Sequence, residues 1–423
     1  MNLHLTLLKL LQPVSVQITG SKSETNRLLI LQALFDAIQI ENASESDDSQ
    51  AMIKALSNDD EVIDIHHAGT AMRFLTAYFA VKEGRNTVLT GSPRMKERPI
   101  GVLVEALQVL GADMKYLEND GYPPLKIKGK KITANAVTIK ANVSSQFITA
   151  LLLIAAKLEN GLEITLDGEV TSRPYLEMTL SLLHEVGITA IFEGQTIKVL
   201  PIAGSLQQST IVVESDWSSA SYFYSIVAMS PIGTSVSLSS YKRNSLQGDS
   251  SLAEIYKNMG VQTMFHENSI TLSRIECQLS TVNCELNNTP DIAQTIAVTC
   301  FGLGLPCHLT GLHTLKIKET DRLEALKTEL EKLGAKLAVT KDSLTLEAHT
   351  KFGGGSKAVS FSYGEGRGEV TAINTYNDHR MAMAFAPLAV KVPIVINDAE
   401  VVSKSYPLFW DDLQQLGFVK TII

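Results

Sequence analysis

The fold is decided by a pattern first met in GSKSETNRLLILQALF, residues 20–35, where a polar stretch leads directly into an apolar run. Ser21 or Ser23 can cap a helix here, and the run LLILQALF is apolar on all faces, as in a buried helix. The preceding VSVQI alternates like a strand. Lys22 and Arg27 therefore lie at a helix entrance, where free N–H groups and the helix dipole favour an anion. Taken alone, the pair also fits solvated surface charges.

The same pattern recurs along the chain. Further apolar helices opened by polar residues are predicted at GTAMRFLTAYFAV, SSQFITALLLIAA, SSASYFYSIVAM, TPDIAQTIAVTC and NDHRMAMAFAPLAV. Amphipathic helices of about twelve residues end at a glycine, as in a C-cap, at Gly111, Gly187, Gly260, Gly334 and Gly417. A strand-like stretch follows each glycine, and SDDSQAMIKALSN supplies a shortened sixth copy.

Each repeat thus contains a strand, a buried helix, a second strand, an amphipathic helix and further strands. This order predicts an α/β or α+β fold. Six repeats in 423 residues predict two similar domains of three repeats each.

The composition limits the classes of partner. There are 37 basic and 45 acidic residues, a net charge of −8 and no basic run, so we expect neither nucleic acid nor an anionic membrane as partner. The N-terminus lacks the features of a secretory signal, and no apolar run is long enough to span a membrane. The cysteines have no metal-ligand spacing and are expected to be buried and reduced in a cytoplasmic protein: Cys277, Cys284, Cys300 and Cys307.

Polar residues open the buried helices at equivalent places in the repeat, so their side chains should converge if equivalent helices point the same way. Besides those of the first helix, they are Gly69, Thr70, Arg73, Ser144, Ser145, Gln146, Asp291, Asp378, His379 and Arg380. Two connecting segments add charge: PRMKERPI, predicted as a turn, and KIKETDRL, in which Thr320 can cap a helix. Glu319 and Arg322 also fit an ordinary i,i+3 ion pair, and His379 alone fits a capping or core histidine.

The segments GSKSETNR, HHAGTAMRFL, LTGSPRMKERPI, VSSQFITALLL, SRPYLEM, SLQGD, IKETDRL and YNDHRMAM resemble the successive signatures of the 5-enolpyruvylshikimate-3-phosphate synthase family. They occur in the family's order and cover nearly the whole chain. The resemblance implies two domains of three βαβαββ repeats, residues 21–213 and residues 1–20 with 214–423.

The resemblance also implies the reaction. The family transfers the enolpyruvyl group of phosphoenolpyruvate to the 5-hydroxyl of shikimate 3-phosphate by addition and elimination in an interdomain cleft, on the pathway to chorismate and aromatic amino acids. Two small-molecule substrates, no cofactor and no metal are implied. Such substrates carry phosphates and carboxylates, which explains cations at helix entrances. A monomer is expected because the sequence lacks long exposed hydrophobic runs.

The resemblance assigns roles residue by residue. The residues that match the phosphoenolpyruvate side are Lys22, Gly69, Arg94, Arg322, Arg380 and Lys404. The residues that match the shikimate 3-phosphate side are Ser23, Arg27, Ser144, Ser145, Ser172 and Lys318, with Gln146 and Tyr175 lining the site. Asp291 matches the base for the hydroxyl proton and Glu319 the acid for C3, with Lys22 and His379 as assistants.

The chain departs from the family pattern at His67 and Thr314, where Asn is usual, and at Phe74, where Pro is usual. GEGRGEV before the sixth repeat resembles a local elaboration. Two alternatives stay open. A UDP-N-acetylglucosamine enolpyruvyl transferase would carry a first-domain loop cysteine and KN in place of KS, and a non-catalytic anion-binding relative would lose site residues.

Overall fold

The computed structural model describes residues 1–11, 13–141, 144–168, 170, 173–202, 204–348 and 370–423. Two compact units are found: a first unit of residues 19–214 and a second unit of residues 1–18 and 215–423. The expected domain boundaries, after residues 20 and 213, stay a prediction. The GEGRGEV elaboration falls almost wholly outside the described residues.

The chain opens with two strands of the second unit, β1 (Leu3–Leu7) and β2 (Val14–Val16). The helices of the first unit are α1 (Lys22–Leu34), α2 (Asp47–Ser57), α3 (Gly69–Val81), α4 (Pro93–Lys96), α5 (Gly101–Val109), α6 (Ser145–Ala155) and α7 (Arg173–Glu185). Its strands are β3 (Ile38–Glu41), β4 (Val62–Asp64), β5 (Asn86–Thr90), β6 (Asp113–Tyr116), β7 (Leu125–Lys128), β8 (Ala136–Lys140), β9 (Leu162–Asp167), β10 (Ala190–Glu193), β11 (Thr196–Val199) and β12 (Ser209–Val212).

The rest of the chain belongs to the second unit. Its α-helices are α8 (Trp217–Met229), α9 (Leu252–Ile255), α10 (Ala293–Leu303), α11 (Arg322–Lys332), α12 (His379–Phe385) and α13 (Phe409–Gln415). Its further strands are β13 (Ser235–Ser239), β14 (Val261–Phe265), β15 (Ser269–Arg274), β16 (Val282–Glu285), β17 (Cys307–Thr310), β18 (Leu337–Val339), β19 (Leu344–Leu346), β20 (Ala372–Ile373), β21 (Ile394–Ile396) and β22 (Phe418–Ile422). Short 3-10 helices span Gly248–Ser251, Tyr256–Met259, Pro290–Ile292, His313–Ile317, Ala386–Val390 and Ala399–Lys404.

The sheets confirm the repeat. In the order β4-β5-β7-β6, β4 and β5 are parallel and joined by α3, while β7 pairs antiparallel with both β5 and β6. The same arrangement recurs in β10-β11-β9-β8, β16-β17-β19-β18 and β14-β15-β13-β2. A fifth sheet of this kind, β20-β21-β1-β22, takes its inner strand β1 from the start of the chain. The shortened copy forms only the parallel pair β12-β3. Each unit therefore holds three sheets.

The predicted buried helices are buried. In α3 every described position except Thr70 and Val81 is inaccessible, and α6 and α8 are equally covered. A buried hydroxyl in α3 is satisfied within the helix, because Thr76 donates it to the Met72 carbonyl at 2.7 Å. The cores are thus built around the helices, with the sheets packed outside them.

The five repeat glycines adopt the left-handed conformation predicted for helix C-caps, with φ between 78° and 101°. Two of the helices before them are shorter than expected. The helix before Gly260 is broken into 3-10 and α segments, because Gly248, Ser250 and Ser251 are weak helix formers. The helix before Gly417 begins only at Phe409, since Pro407 disfavours helix at the residue before it.

All four cysteines are free thiols. Cys300 and Cys307 are buried as expected, whereas Cys277 and Cys284 are partly exposed, so the prediction of four buried cysteines was wrong for two of them. They lie at the edge of the core, on or beside short strands. Within the described ranges, no helix has the length and apolar character needed to cross a bilayer.

Candidate active site

In the first unit, the N-terminal ends of three buried helices come together. Gln146 at the start of α6 donates its side-chain amide to the Thr70 hydroxyl at the start of α3, at 3.3 Å. The guanidinium carbon of Arg27 on α1 lies 5.6 Å from the Phe74 ring centre on α3. We call this group the helix-mouth cluster: Lys22, Ser23, Arg27, Gly69, Thr70, Ser144, Ser145, Gln146 and Tyr175.

Arg27 is only 3% exposed. Its guanidinium donates to the Ser23 carbonyl at 2.6 Å, the Thr179 hydroxyl at 2.8 Å and the Tyr175 carbonyl at 3.1 Å. Burial lowers the pKa of Arg27 to about 10, so the side chain stays cationic at neutral pH. These bonds fix the direction of a buried positive charge between α1 and α7. Phe74, a departure from the family pattern, supplies a π face to the same cation.

Lys22 is partly exposed at the first position of α1 and lies 3.8 Å from Asp48 of α2. Ser21 occupies the N-cap position but makes no side-chain capping bond, and Ser23 lies within the helix. The expected serine cap is therefore not formed. At α6 a serine cap is formed, because the Ser144 hydroxyl accepts from the Gln146 backbone N–H at 3.3 Å.

Gly69 lies against an arginine that the sequence analysis did not single out for the site. A Cβ on Gly69 would come within 2.5 Å of the Arg98 Nη1. Arg73 is buried beneath, donating to the Gly69 carbonyl at 2.9 Å, and burial together with the nearby charge of Arg98 lowers the pKa of Arg73 to about 9. The glycine thus permits close approach of a guanidinium to the start of α3.

PRMKERPI contains the one-turn helix α4 in place of the predicted turn, because Ser92 caps it and Pro93 suits its first position. Arg94 is largely exposed and forms an ion pair with Glu97 at 2.7 Å. The described contacts give no link between Arg94 and Lys22. Ser172, the remaining predicted residue of this unit, lies outside the described residues.

In the second unit, Arg322 at the start of α11 is the centre of a charged group. It is 2% exposed and its three nitrogens contact three carboxylates: Nε donates to Asp378 at 2.6 Å, Nη1 to Asp291 at 2.8 Å and Nη2 to Glu319 at 2.7 Å. We call Arg322, Asp291, Glu319, Asp378 and Arg380 the arginine–carboxylate cluster. It brings together residues predicted from three separate motifs.

The cap of α11 differs from the expectation. Asp321, and not Thr320, accepts the Leu323 and Glu324 backbone N–H groups at 3.2 Å. A carboxylate caps more strongly beside the positive end of the helix dipole than a hydroxyl does. The helix consequently begins at Arg322, which places Lys318 and Glu319 in the preceding loop.

Two further cations lie beside the Asp291 carboxylate. Arg380, in the first turn of α12, lies 3.3 Å from its carboxylate and donates to its carbonyl at 3.1 Å, and Lys318 lies 3.6 Å away. Burial opposes the charge on Arg322, but Asp378, Glu319 and Asp291 outweigh it and raise the pKa. The same balance, with Asp291 as the main opposing charge, raises the pKa of Arg380. Both arginines are permanent cations.

A further carboxylate, which was not predicted from the sequence, is linked to this cluster. Asp249, within the SLQGD segment, accepts hydrogen bonds from the Ser218 and Thr289 hydroxyls, and Ser218 accepts from Arg380 at 3.2 Å. Burial raises the pKa of Asp249. Ser218 opens α8, a position equivalent to those singled out on the other buried helices, so the repeat itself contained the signal.

Lys404 and His379 are the remaining predicted residues of this unit. Lys404 donates to the Asn377 carbonyl at 2.7 Å and to its side-chain oxygen at 2.9 Å. His379 is buried, and its Nδ1 lies 3.9 Å from Asp378. Thr314, which stands where the family usually has Asn, lies in the 3-10 helix that precedes Lys318. Its hydroxyl makes no hydrogen bond within the described residues.

Comparisons with known proteins show the family of the chain. Residues 56–413 match the family model of EPSP synthase (3-phosphoshikimate 1-carboxyvinyltransferase). The chain is 46% identical to a 3-phosphoshikimate 1-carboxyvinyltransferase of Bacteroides fragilis, over 96% of this chain and 95% of that protein. It is 37% identical to the protein of the same name from Colwellia psychrerythraea, over 94% of this chain and 95% of that one.

Solved structures share the fold. The EPSP synthase from Acinetobacter baumannii superposes with a TM-score of 0.78 at 21% identity, covering all of both chains. The enolpyruvyl transferase NikO from Streptomyces tendae gives a TM-score of 0.70 at 14% identity, over 99% of this chain and 98% of that one. The predicted fold class is thereby confirmed.

Proposed function

Because the chain belongs to the EPSP synthase (3-phosphoshikimate 1-carboxyvinyltransferase) family, we propose that it transfers the enolpyruvyl group of phosphoenolpyruvate to the 5-hydroxyl of shikimate 3-phosphate, releasing phosphate. Its place is the shikimate pathway, which leads to chorismate and the aromatic amino acids. The relatives from Bacteroides fragilis and Colwellia psychrerythraea carry the name of this activity, and the chain aligns with nearly the whole length of each.

One observation carries the proposal: a single buried guanidinium holds both the proposed base and the proposed acid. Arg322 contacts Asp291 through Nη1 and Glu319 through Nη2, at 2.8 and 2.7 Å. The planar fork fixes the two carboxylates relative to each other, and its third nitrogen is anchored on Asp378. An addition followed by an elimination needs proton transfer at two separated atoms, which two fixed carboxylates can provide.

In the addition, the 5-hydroxyl oxygen bonds to C2 of phosphoenolpyruvate. Its proton goes to Asp291, while C3 receives a proton from Glu319 and becomes a methyl group. In the elimination, the bond between C2 and the phosphate oxygen breaks and phosphate leaves. A proton returns from the methyl group to Glu319, which restores the double bond. The proton held by Asp291 passes to the departing phosphate oxygen, so phosphate leaves as hydrogen phosphate, both carboxyl groups return to their starting states, and atoms and charges balance over the two steps.

The cations of the second unit have a part in both steps. Arg322, Arg380 and Lys318 surround Asp291, and the side chains of Arg322 and Arg380 are only 2% and 11% exposed, so their charges are little screened by solvent. We propose that Arg322 and Arg380, together with Lys404, hold the phosphate and carboxylate of phosphoenolpyruvate and stabilise the charge on the departing phosphate. Lys22, Arg94 and Gly69 of the first unit are proposed for the same substrate.

The helix-mouth cluster is proposed to bind shikimate 3-phosphate. Arg27 offers a fixed positive charge for the carboxylate, with Ser23 beside it. Ser144, Ser145 and Ser172, with Lys318 of the second unit, are proposed for the 3-phosphate, and a helix N-terminus such as that of α6 favours an anion. Gln146 and Tyr175 are proposed to line the bound ring.

We further propose that the protein acts in the cytoplasm as a monomer. Four free thiols fit a reducing compartment. The two compact units are proposed to be the two domains expected from the repeat.

The test is phosphate release by purified protein with both substrates, against each substrate alone. Release that needs both is expected. Asp291→Asn and Glu319→Gln should lower kcat by at least about a hundredfold, while Glu324→Gln, an exposed carboxylate on α11, should leave it unchanged. Release with phosphoenolpyruvate and UDP-N-acetylglucosamine instead would support the alternative transferase. No release, with shikimate 3-phosphate still bound, would support a non-catalytic relative.

A further inference from the structure

A buried carboxylate lies on α11 away from the arginine–carboxylate cluster. The Glu329 side chain is 0% exposed, and both of its oxygens accept from the Lys332 ammonium, at 2.8 and 2.7 Å. A buried carboxylate is unfavourable unless it is paired and hydrogen-bonded. The Lys332 ammonium balances the negative charge of Glu329. The carboxylate also accepts further hydrogen bonds.

Those bonds go to the segment that leads into α12. Glu329 accepts from the Tyr376 hydroxyl at 2.6 Å and from the Asn374 backbone N–H at 3.2 Å. Glu329 follows Arg322 by seven residues, or two helical turns, so both lie on one face of α11. Arg322 contacts the same segment at Asp378. One face of α11 therefore holds residues 374–378 at both ends.

The segment held in this way has a backbone that needs support. Tyr376 and Asn377 are both in the left-handed region, with φ of 53° and 57°. An aromatic residue rarely adopts this conformation, which is sterically unfavourable for side chains with a Cβ. Consecutive residues of this kind persist where surrounding contacts fix them.

Two residues of this turn, Asn377 and Asp378, contact side chains of the proposed site. The Asn377 carbonyl and side-chain oxygen both accept from Lys404. The next residue, Asp378, accepts from Arg322 and caps α12 through the Arg380 N–H at 2.8 Å. A change in the φ of Tyr376 or Asn377 would shift both contacts together.

We propose that Glu329 is a positioning residue for phosphoenolpyruvate: through the Tyr376 hydroxyl and the Asn374 N–H it fixes the left-handed turn that aims Lys404 and Asp378. The inference rests on the proposed function, since it assigns Lys404 and Arg322 to that substrate. Burial, followed by the bond to Glu329, raises the pKa of Tyr376 to about 12, so the hydroxyl keeps the proton it donates at neutral pH.

The test compares Tyr376→Phe and Glu329→Gln with a matched control. Tyr224→Phe also removes a tyrosine hydroxyl of the second unit, one that pairs with Thr263 at 2.8 Å in a separate part of the unit. We expect both test variants to raise the KM of phosphoenolpyruvate about tenfold and to leave that of shikimate 3-phosphate within about twofold, since one hydrogen bond to a charged group is lost. The control should leave both KM values unchanged.

Hydrogen exchange of peptides covering residues 374–381 provides a readout that does not depend on activity. Exchange there should quicken in both test variants and stay unchanged in the control, with α11 still protected. Equal increases in both KM values, a loss of thermal stability alone, or unchanged exchange at residues 374–381 would overturn the inference. Inactive wild-type protein would instead refute the proposed function, and the exchange data would still decide whether Glu329 fixes the turn.

Discussion

Replacing Arg322 by Gln is the most informative single change, because this guanidinium joins three carboxylates. The residue is 2% exposed and its bonds to Asp378, Asp291 and Glu319 measure 2.6, 2.8 and 2.7 Å. Asp378 is fully buried, whereas Asp291 and Glu319 keep 19% and 28% exposure. Only the Asp378 pair therefore counts at full strength, and its loss costs about 3–5 kcal/mol of unfolding free energy.

This loss corresponds to a fall in the unfolding temperature of roughly 6–20 °C for a unit of this size. The same change removes the cation that orients both proposed proton-transfer groups, so kcat/KM should fall by at least about a hundredfold. Thermal unfolding followed by circular dichroism and phosphate release with both substrates measure the two effects.

Arg85→Gln is the matched control. Arg85 makes an ion pair with Asp59 at the same 2.8 Å and donates to the Thr87 hydroxyl and to the Asn58 and Asp60 carbonyls, but Asp59 is fully exposed, so the expected loss is smaller than that of Arg322→Gln. Unfolding of Arg322→Gln within about 2–4 °C of wild type, with kcat/KM kept within about threefold, would contradict this role of Arg322. Such a result would mean that solvent, and not Arg322, balances the three carboxylates.

Three further outcomes follow from local geometry. Gly69→Ala places a methyl group against the movable end of Arg98, so the protein should fold normally but show a raised KM for phosphoenolpyruvate in steady-state kinetics; an unchanged KM would remove Gly69 from that substrate. Ser144→Ala removes the α6 cap and should lower the unfolding free energy by about 1 kcal/mol in urea titration, whereas no loss would show that another group caps α6. Burial raises the pKa of Asp249 in the folded state, so wild type should gain stability relative to Asp249→Asn as pH falls from about 7 towards about 4.5, and an unchanged difference in unfolding temperature would argue against that shift.

The repeat was readable because two local signals recur with it. Gly111 and the four equivalent glycines mark helix ends whose left-handed backbone favours glycine, and fully apolar helices such as α6 leave no choice but burial. Together these signals gave six repeats, and six sheets are observed among the described residues. The same logic placed polar residues such as Asp291 and Arg380 at the starts of buried helices, where the structure brings them together.

Other features depend on contacts between distant segments, which no local pattern reports. Arg98 reaches Gly69 only because the loop after α4 folds back on α3, and Asp249 meets Arg380 only through Ser218. Tyr376 reads as an ordinary aromatic residue until Glu329 is found beside it. The choice of Asp321 over Thr320 as cap turned on one residue of helix register, which sequence patterns leave open.

Addition and elimination through a methyl intermediate is tested most directly by running the reaction in D₂O and measuring the mass of the product by mass spectrometry. If Glu319 or another acid protonates C3 and a proton is then removed, the enolpyruvyl group transferred to shikimate 3-phosphate must carry solvent deuterium. We expect a deuterium-labelled product from wild type, and no transfer above background from Glu319→Gln. An unlabelled product would contradict addition and elimination through a methyl intermediate, and absence of the product would contradict the transferase itself.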